Sequence, residues 1–210
     1  MSTIRLVMGL LVVSAFAADT QLPTLLKGVE TRYNKAKTLQ VLFKEDYTPP
    51  NGTRRTESGL LMLRKPGRMR WSYSQPPGKL FVSDSKFLWL FTPAENRVEK
   101  MPLRESEDMR APLAFLLGKL DFEKEFQNLQ AKAEPAGTRI TGEPKSDNLP
   151  YSQAEFLVAP DFRILQVKVA GFDRSVLSFT FDQERLDPAL DQKLFQFQMP
   201  KGAELVEAGQ

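Results

Sequence analysis

The sequence predicts a mainly β protein of the α+β class: one large antiparallel sheet, curled or closed part-way into an open barrel, with two or three helical pieces. Three observations carry this. Apolar residues alternate with period two through most of the chain, turn residues punctuate these runs every 8 to 12 residues or so, and few stretches keep helical spacing. About ten such strands are hard to keep flat in one sheet.

Met1–Ala17, MSTIRLVMGLLVVSAFA, places Arg5 before an apolar run from Leu6 to Val13, then small residues at Ala15 and Ala17. This is the order of a secretory signal peptide with an A-x-A cleavage site, and the run is about half the ~20 residues a membrane-spanning helix needs. Residues 1–17 are expected to be removed, leaving 18–210 as one domain. Of 29 Lys+Arg and 26 Asp+Glu, removal takes only Arg5, which leaves 28 against 26 and a net charge of +2. That balance gives no electrostatic case for nucleic acid. With no cysteine, disulfides and a Cys-linked lipid anchor are excluded, and export without such staples points to the bacterial periplasm.

Leu22, Leu25, Leu26, Val29 and Tyr33 share one helical face, and Pro23 is tolerated in the first turn. From Leu39 the period becomes two through Val41 and Phe43, until Pro49-Pro50-Asn51-Gly52 breaks the run. The stretch Gly59 to Pro93 holds both tryptophans. Leu61 and Leu63, then Met69, Trp71 and Tyr73, alternate there, with breaks at Lys65-Pro66-Gly67, Gln75-Pro76-Pro77-Gly78 and Ser83–Lys86 before the apolar run Phe87–Phe91. Val98 and Met101 mark a further short strand.

Leu113, Leu116 and Leu117 suggest a short apolar helix over Ala111–Leu117, stopped by Gly118. Asp121 to Ala133 fits either a helix through Phe122, Phe126 and Leu129 or an edge strand. Strands are expected at Thr138–Thr141, Ala154–Val158, Ile164–Val169, Val176–Phe181 and Leu194–Gln198, with turn signals between them.

Histidine and cysteine are both absent, as are a G-x-S-x-G elbow and a glycine-rich phosphate loop, which removes the commonest general base, thiol nucleophile and zinc ligands. The carboxylate groups Glu105/Glu107/Asp108 and Glu123/Glu125 read as solvated faces. No catalytic residue, metal or cofactor is expected. Phenylalanine is abundant, at 15 residues, and most of it must be core. Two short helices are nonetheless modest cover for so wide a sheet. An apolar hollow left between them would accept acyl chains, at about 0.8 kcal/mol per buried methylene.

The run Arg64-Lys65-Pro66-Gly67-Arg68-Met69-Arg70-Trp71, then Gln75-Pro76, then Phe81-Val82-Ser83-Asp84-Ser85-Lys86-Phe87-Leu88-Trp89 resembles the K-R-P-x-x-x-x-W…Q-P…V-S-D-G-x-x-L-W signature of the LolA family of periplasmic lipoprotein carriers. The closing Phe195–Leu205 is also similar to that family. The resemblance implies an unclosed half-barrel of about ten or eleven strands with short helices as a lid over the concave hydrophobic face. It implies a non-enzymatic carrier that takes triacylated lipoproteins from an inner-membrane ABC transporter and passes them to an outer-membrane lipoprotein receptor. A monomer is expected. A lipid- or lipoprotein-sensing regulatory module on the same half-barrel is the alternative, and a lipid enzyme is disfavoured by the missing catalytic types.

On this reading Leu61, Leu63, Met69, Trp71 and Tyr73 line the acyl-chain cavity together with Trp89 and, from the lid helix, Phe115 and Leu116. Lys65, with Arg64 beside it, fastens the lid by donating to carbonyls of the Ala111–Leu117 helix or its flanking loop. Three departures from the family pattern stand out. Lys65 replaces the arginine that directly precedes the proline, Met69 replaces an aromatic, and Ser85 replaces the turn glycine.

Overall fold

The computed structural model describes residues 21–103, 120–146 and 149–207. Helix α1 spans Gln21–Lys35, and six strands follow it: β1 Thr38–Thr48, β2 Arg55–Arg64, β3 Arg68–Gln75, β4 Leu80–Asp84, β5 Phe87–Thr92 and β6 Arg97–Pro102. After a short α2, Phe122–Glu125, come β7 Phe126–Glu134, β8 Gly137–Pro144, β9 Tyr151–Val158, β10 Ile164–Gly171, β11 Val176–Leu186 and β12 Glu204–Glu207. The signal segment and the expected helix Ala111–Leu117, with Phe115 and Leu116, lie outside the described residues.

All twelve strands form one sheet in the order β12-β6-β5-β4-β3-β2-β1-β11-β10-β9-β8-β7. Among the described residues β7 and β12 are not paired with each other, so the sheet is an unclosed half-barrel. Every neighbouring pair is antiparallel except β12 with β6, which is parallel. The two strands beyond the expected ten or so are accounted for at the edges. The ambiguous stretch 121–133 holds both a helical turn, capped by Asp121 on Lys124 N–H, and an edge strand.

Register divides the side chains between two faces. Val41, Leu61, Trp71, Phe81 and Leu90 lie opposite one another along neighbouring strands, as do Leu39, Leu63, Met69, Ser83, Leu88 and Met101. The other half of the sheet continues this inner face with Ile140, Phe156, Val167 and Phe179, all essentially inaccessible. Alternation puts a residue on the inner face at every second position, which is why these runs read so plainly. On the outer face of that half, Arg139 pairs with Glu134 and Glu155, and Glu155 also takes Lys168.

On the outer face Met62 of β2 and Val82 of β4 are buried on either side of Arg70 of β3, and the C-terminal segment covers them. A strand was expected over Leu194–Gln198; a 3-10 turn forms instead at Gln192–Phe195, with Asp191 accepting from Lys193 N–H. The reason lies in the partners. Arg64 donates to Leu190 O and Arg70 to Leu194 O, each at 3.0 Å, so these carbonyls bond to side chains of the strands they cross rather than to a neighbouring strand. Phe195 is buried in the same segment.

Gly59 is a point of close approach. A Cβ there would stand 2.2 Å from Ser72 O and 3.0 Å from the Phe43 ring, and its absence lets Phe43 and Tyr73 meet edge to face at 5.1 Å. Gly59→Ala is expected to cost about 1–3 kcal/mol by overpacking, measured by urea unfolding, with no change in slope.

Ser85 stands in the left-handed region at φ 82°, where the family pattern has glycine. Its turn is held by Ser83 Oγ, which donates to Gly67 O at 2.8 Å, and by Asp84, which accepts from Lys86 N–H and Phe87 N–H. Removing the Cβ strain of a residue in this region is partly offset by the greater entropy of glycine in the unfolded chain. Ser85→Gly is therefore expected to stabilise the fold by up to about 1 kcal/mol, read as a higher denaturation midpoint.

Candidate functional site: the inner face and its cover

The inner face is roofed by α1. Leu26, Val29 and Tyr33 lie on one stripe of the helix and are buried in the same cluster as Leu39, Val41, Leu61, Trp71 and Phe179. Trp71 sits at the centre, edge-on to Phe43 at 4.7 Å, tilted against Phe179 at 5.4 Å, with its indole N–H on Met69 Sδ. The residual space between α1 and the sheet, lined by Tyr33, Leu39, Val41, Leu61, Ile164, Val167, Phe181 and Glu184, is about 10 Å³. That holds one water at most. An acyl chain enters this part of the hollow only if α1 moves away.

The structure brings Leu61, Leu63, Met69, Trp71 and Tyr73 together on this face, each buried. Trp89 is a correction. The register pairs it with Val82, and Val82 with Arg70, so it points to the outer face. There it stacks on Phe197 at 5.1 Å and donates its indole N–H to Asp84. Its neighbour Leu88, fully buried, takes the inner position. Alternation turns Arg64 outward, and it donates to Leu190 O of the C-terminal segment; the lid helix it is expected to fasten lies outside the described residues.

Lys65 reaches a helix end, that of α1; the Ala111–Leu117 helix lies outside the described residues. Its ammonium donates to Tyr33 O at 2.8 Å, one of the last carbonyls of α1, while its backbone N–H bonds to Lys37 O. These carbonyls have no partner within the helix and carry partial negative charge. Burial holds the Lys65 ammonium below the usual lysine pKa, and Asp187 partly restores it.

The strongest ties of α1 were not visible as a motif. Arg32 donates to Glu184 Oε1 through two nitrogens, and Tyr33 O–H donates to Glu184 Oε2 while accepting from Ile164 N–H at 2.9 Å. Burial, then the adjacent Glu184 carboxylate, push the Tyr33 phenol far above its usual range, so it stays a proton donor. Further along, Asn34 donates to Leu120 O and accepts from Leu120 N–H, each at 2.7 Å, and Glu30 accepts from Phe122 N–H. The only signal in sequence was polar residues beside the apolar stripe, and their partners lie 86 to 152 positions away.

A twelve-stranded unclosed sheet with an apolar inner face roofed by an N-terminal helix agrees with what comparison of the chain with known proteins finds. The family model described as outer membrane lipoprotein carrier protein LolA matches residues 34–198. The chain belongs to the LolA family. Relatives named outer-membrane lipoprotein carrier protein include one from Methylobacillus flagellatus, 24% identical over 83% of this chain and 84% of its own length. Another, from Nitrosomonas europaea, is 27% identical over 86% and 87%. Among solved structures, a conserved protein of Thermus thermophilus superposes with a TM-score of 0.54 at 13% identity, covering 89% of this chain and 99% of that one. MucB superposes at 0.51 and 13%, covering 85% and 63%. At such identities the superpositions speak for the fold alone.

Within this LolA-family chain the cover and the floor differ in character. The floor is a set of aromatic and aliphatic side chains fixed by strand pairing, whereas α1 is held by a few side-chain hydrogen bonds at its C-terminal half and by apolar contact. Among the described residues no helix is long and apolar enough to cross a membrane.

Proposed function

We propose that this chain carries the acyl chains of lipoproteins through the periplasm, taking them from an inner-membrane ABC transporter and delivering them to an outer-membrane lipoprotein receptor. The observation that supports this most is the continuous apolar inner face of the half-barrel, roofed by a helix whose polar ties gather at its C-terminal half. An acyl chain replaces α1 on that face with contacts of the same apolar kind, so closed and loaded states stay near balance. A carrier that both loads and releases needs this, because cargo shifts the equilibrium only by its differential affinity for the two states. Leu61, Leu63, Met69, Trp71 and Tyr73 form the floor for the acyl chains, and Met69, flexible and polarizable, adapts to chains of different shape.

The test is native mass spectrometry of the protein purified from its own periplasm. A complex with a triacylated lipoprotein is the expected result, and protein that is empty, or bound only to free phospholipid, contradicts the carrier reading.

A further inference from the structure

At the C-terminal end of α1 a groove of about 870 Å³ runs between the helix end, the β2–β3 turn and the loop after β11. Four cations from two stretches line it: Lys35 at the end of α1, Lys37 in the link to β1, Arg64 at the end of β2 and Lys65 in the turn. Its two carboxylates are engaged by the backbone. Asp187 accepts from Lys37 N–H and Thr38 N–H, and Asp191 from Lys193 N–H. None of the four cations is in an ion pair among the described residues.

Next to the groove, Arg64 stands directly opposite Arg68 across the β2–β3 pair. Like charges in that position repel and weaken strand pairing. An anion between the strands and the helix end turns this repulsion into attraction.

We infer that this groove binds a phosphate-bearing group, either the headgroup of an anionic lipid or free phosphate. Lys35 and Lys37 are exposed and supply charge at the mouth, while Arg64 offers the planar fork suited to phosphate oxygens. Lys65 uses one N–H of its ammonium on Tyr33 O, and an ammonium has three, so it can bind an anion without letting go of α1. The site stands on charge and position alone and does not depend on the acyl-chain reading.

The experiment compares the full exported protein with Lys35→Gln/Lys37→Gln and with Lys132→Gln, an exposed lysine on the distant edge strand β7. Binding is measured by co-sedimentation with vesicles of phosphatidylglycerol and phosphatidylcholine or of phosphatidylcholine alone, and by calorimetric titration with inorganic phosphate. The double variant is expected to lose about tenfold or more in affinity, since each lysine near an anionic surface is worth about 1 kcal/mol, and Lys132→Gln to stay within about twofold. Binding to phosphatidylglycerol vesicles that the double variant loses, without a response to phosphate, assigns the site to a lipid headgroup, and a double variant that binds as the parent does overturns the inference. A phosphate response that the double variant loses assigns it to free phosphate. The inference is overturned if the parent protein binds neither, or if Lys132→Gln loses as much as the double variant.

Discussion

Glu184→Ala is expected to loosen α1 by one to two orders of magnitude while leaving the sheet intact. The substitution strips Arg32 and Tyr33 of their shared acceptor; the Arg32 side chain is 25% exposed and turns to water, so the loss falls on the buried Tyr33 hydroxyl, at about 1–3 kcal/mol. At about 1.4 kcal/mol per factor of ten, the open population rises about tenfold to hundredfold. Hydrogen exchange reads this directly: protection of the α1 amides falls by that factor, together with that of Ile164, whose N–H bonds to Tyr33, and the other amides of β9 and β10 keep theirs. The same variant should take up an apolar fluorescent probe faster than the parent. Unchanged protection of α1 would mean that apolar contact alone holds the helix and that the Arg32–Tyr33–Glu184 cluster is not its latch.

The second large effect is on stability. Trp71 is 1% exposed and contacts Phe43, Phe179 and Met69, so Trp71→Ala removes a large buried ring from the middle of the floor. The cost is about 3–5 kcal/mol, a fall in Tm of about 6–20 °C for a domain of this size. Leu42→Ala is the matched control. Leu42 alternates onto the outer face of β1 and is 38% exposed, so its truncation is expected to cost under about 1 kcal/mol. If the two substitutions cost the same, the burial pattern assigned to the floor is wrong.

Strand existence and parity were legible in the sequence because one face of the sheet is buried along its whole width. Leu61 with Leu63, and Met69 with Trp71 and Tyr73, could be assigned to one face from alternation within each run. Trp89 could not be read this way, since parity in one strand fixes nothing in the next. The turn between β4 and β5 sets which residue of Phe87–Phe91 lies opposite Phe81, and it selects Leu90 rather than Trp89. Composition pulled the other way, because a tryptophan in an apolar run suggests the core.

The C-terminal segment shows a related limit. Phe195 and Phe197 alternate as a strand would, yet both pack down onto the outer face from a segment held by Arg64 and Arg70. Arg64 and Arg70 among the apolar outer residues Leu60, Met62 and Val82 were the trace of that arrangement. Lys65 was recognisable as a helix-end donor from chemistry, but which helix it meets depends on tertiary placement. Glu184 carries no local sign of its role, since Arg32 and Tyr33 are about 150 residues away in the chain.

The central claim is that acyl chains occupy the inner face after α1 has moved, and photolabelling tests it most directly. The protein is incubated with a fatty-acyl probe bearing a photoreactive group, irradiated, digested and mapped by mass spectrometry. Labels are expected on Leu61, Leu63, Met69, Trp71 and Tyr73 and on the Leu26–Tyr33 stripe of α1, with more label in Glu184→Ala than in the parent. Labelling confined to the outer face, at Leu60, Met62 or Trp89, with the inner face unmarked, would contradict the account.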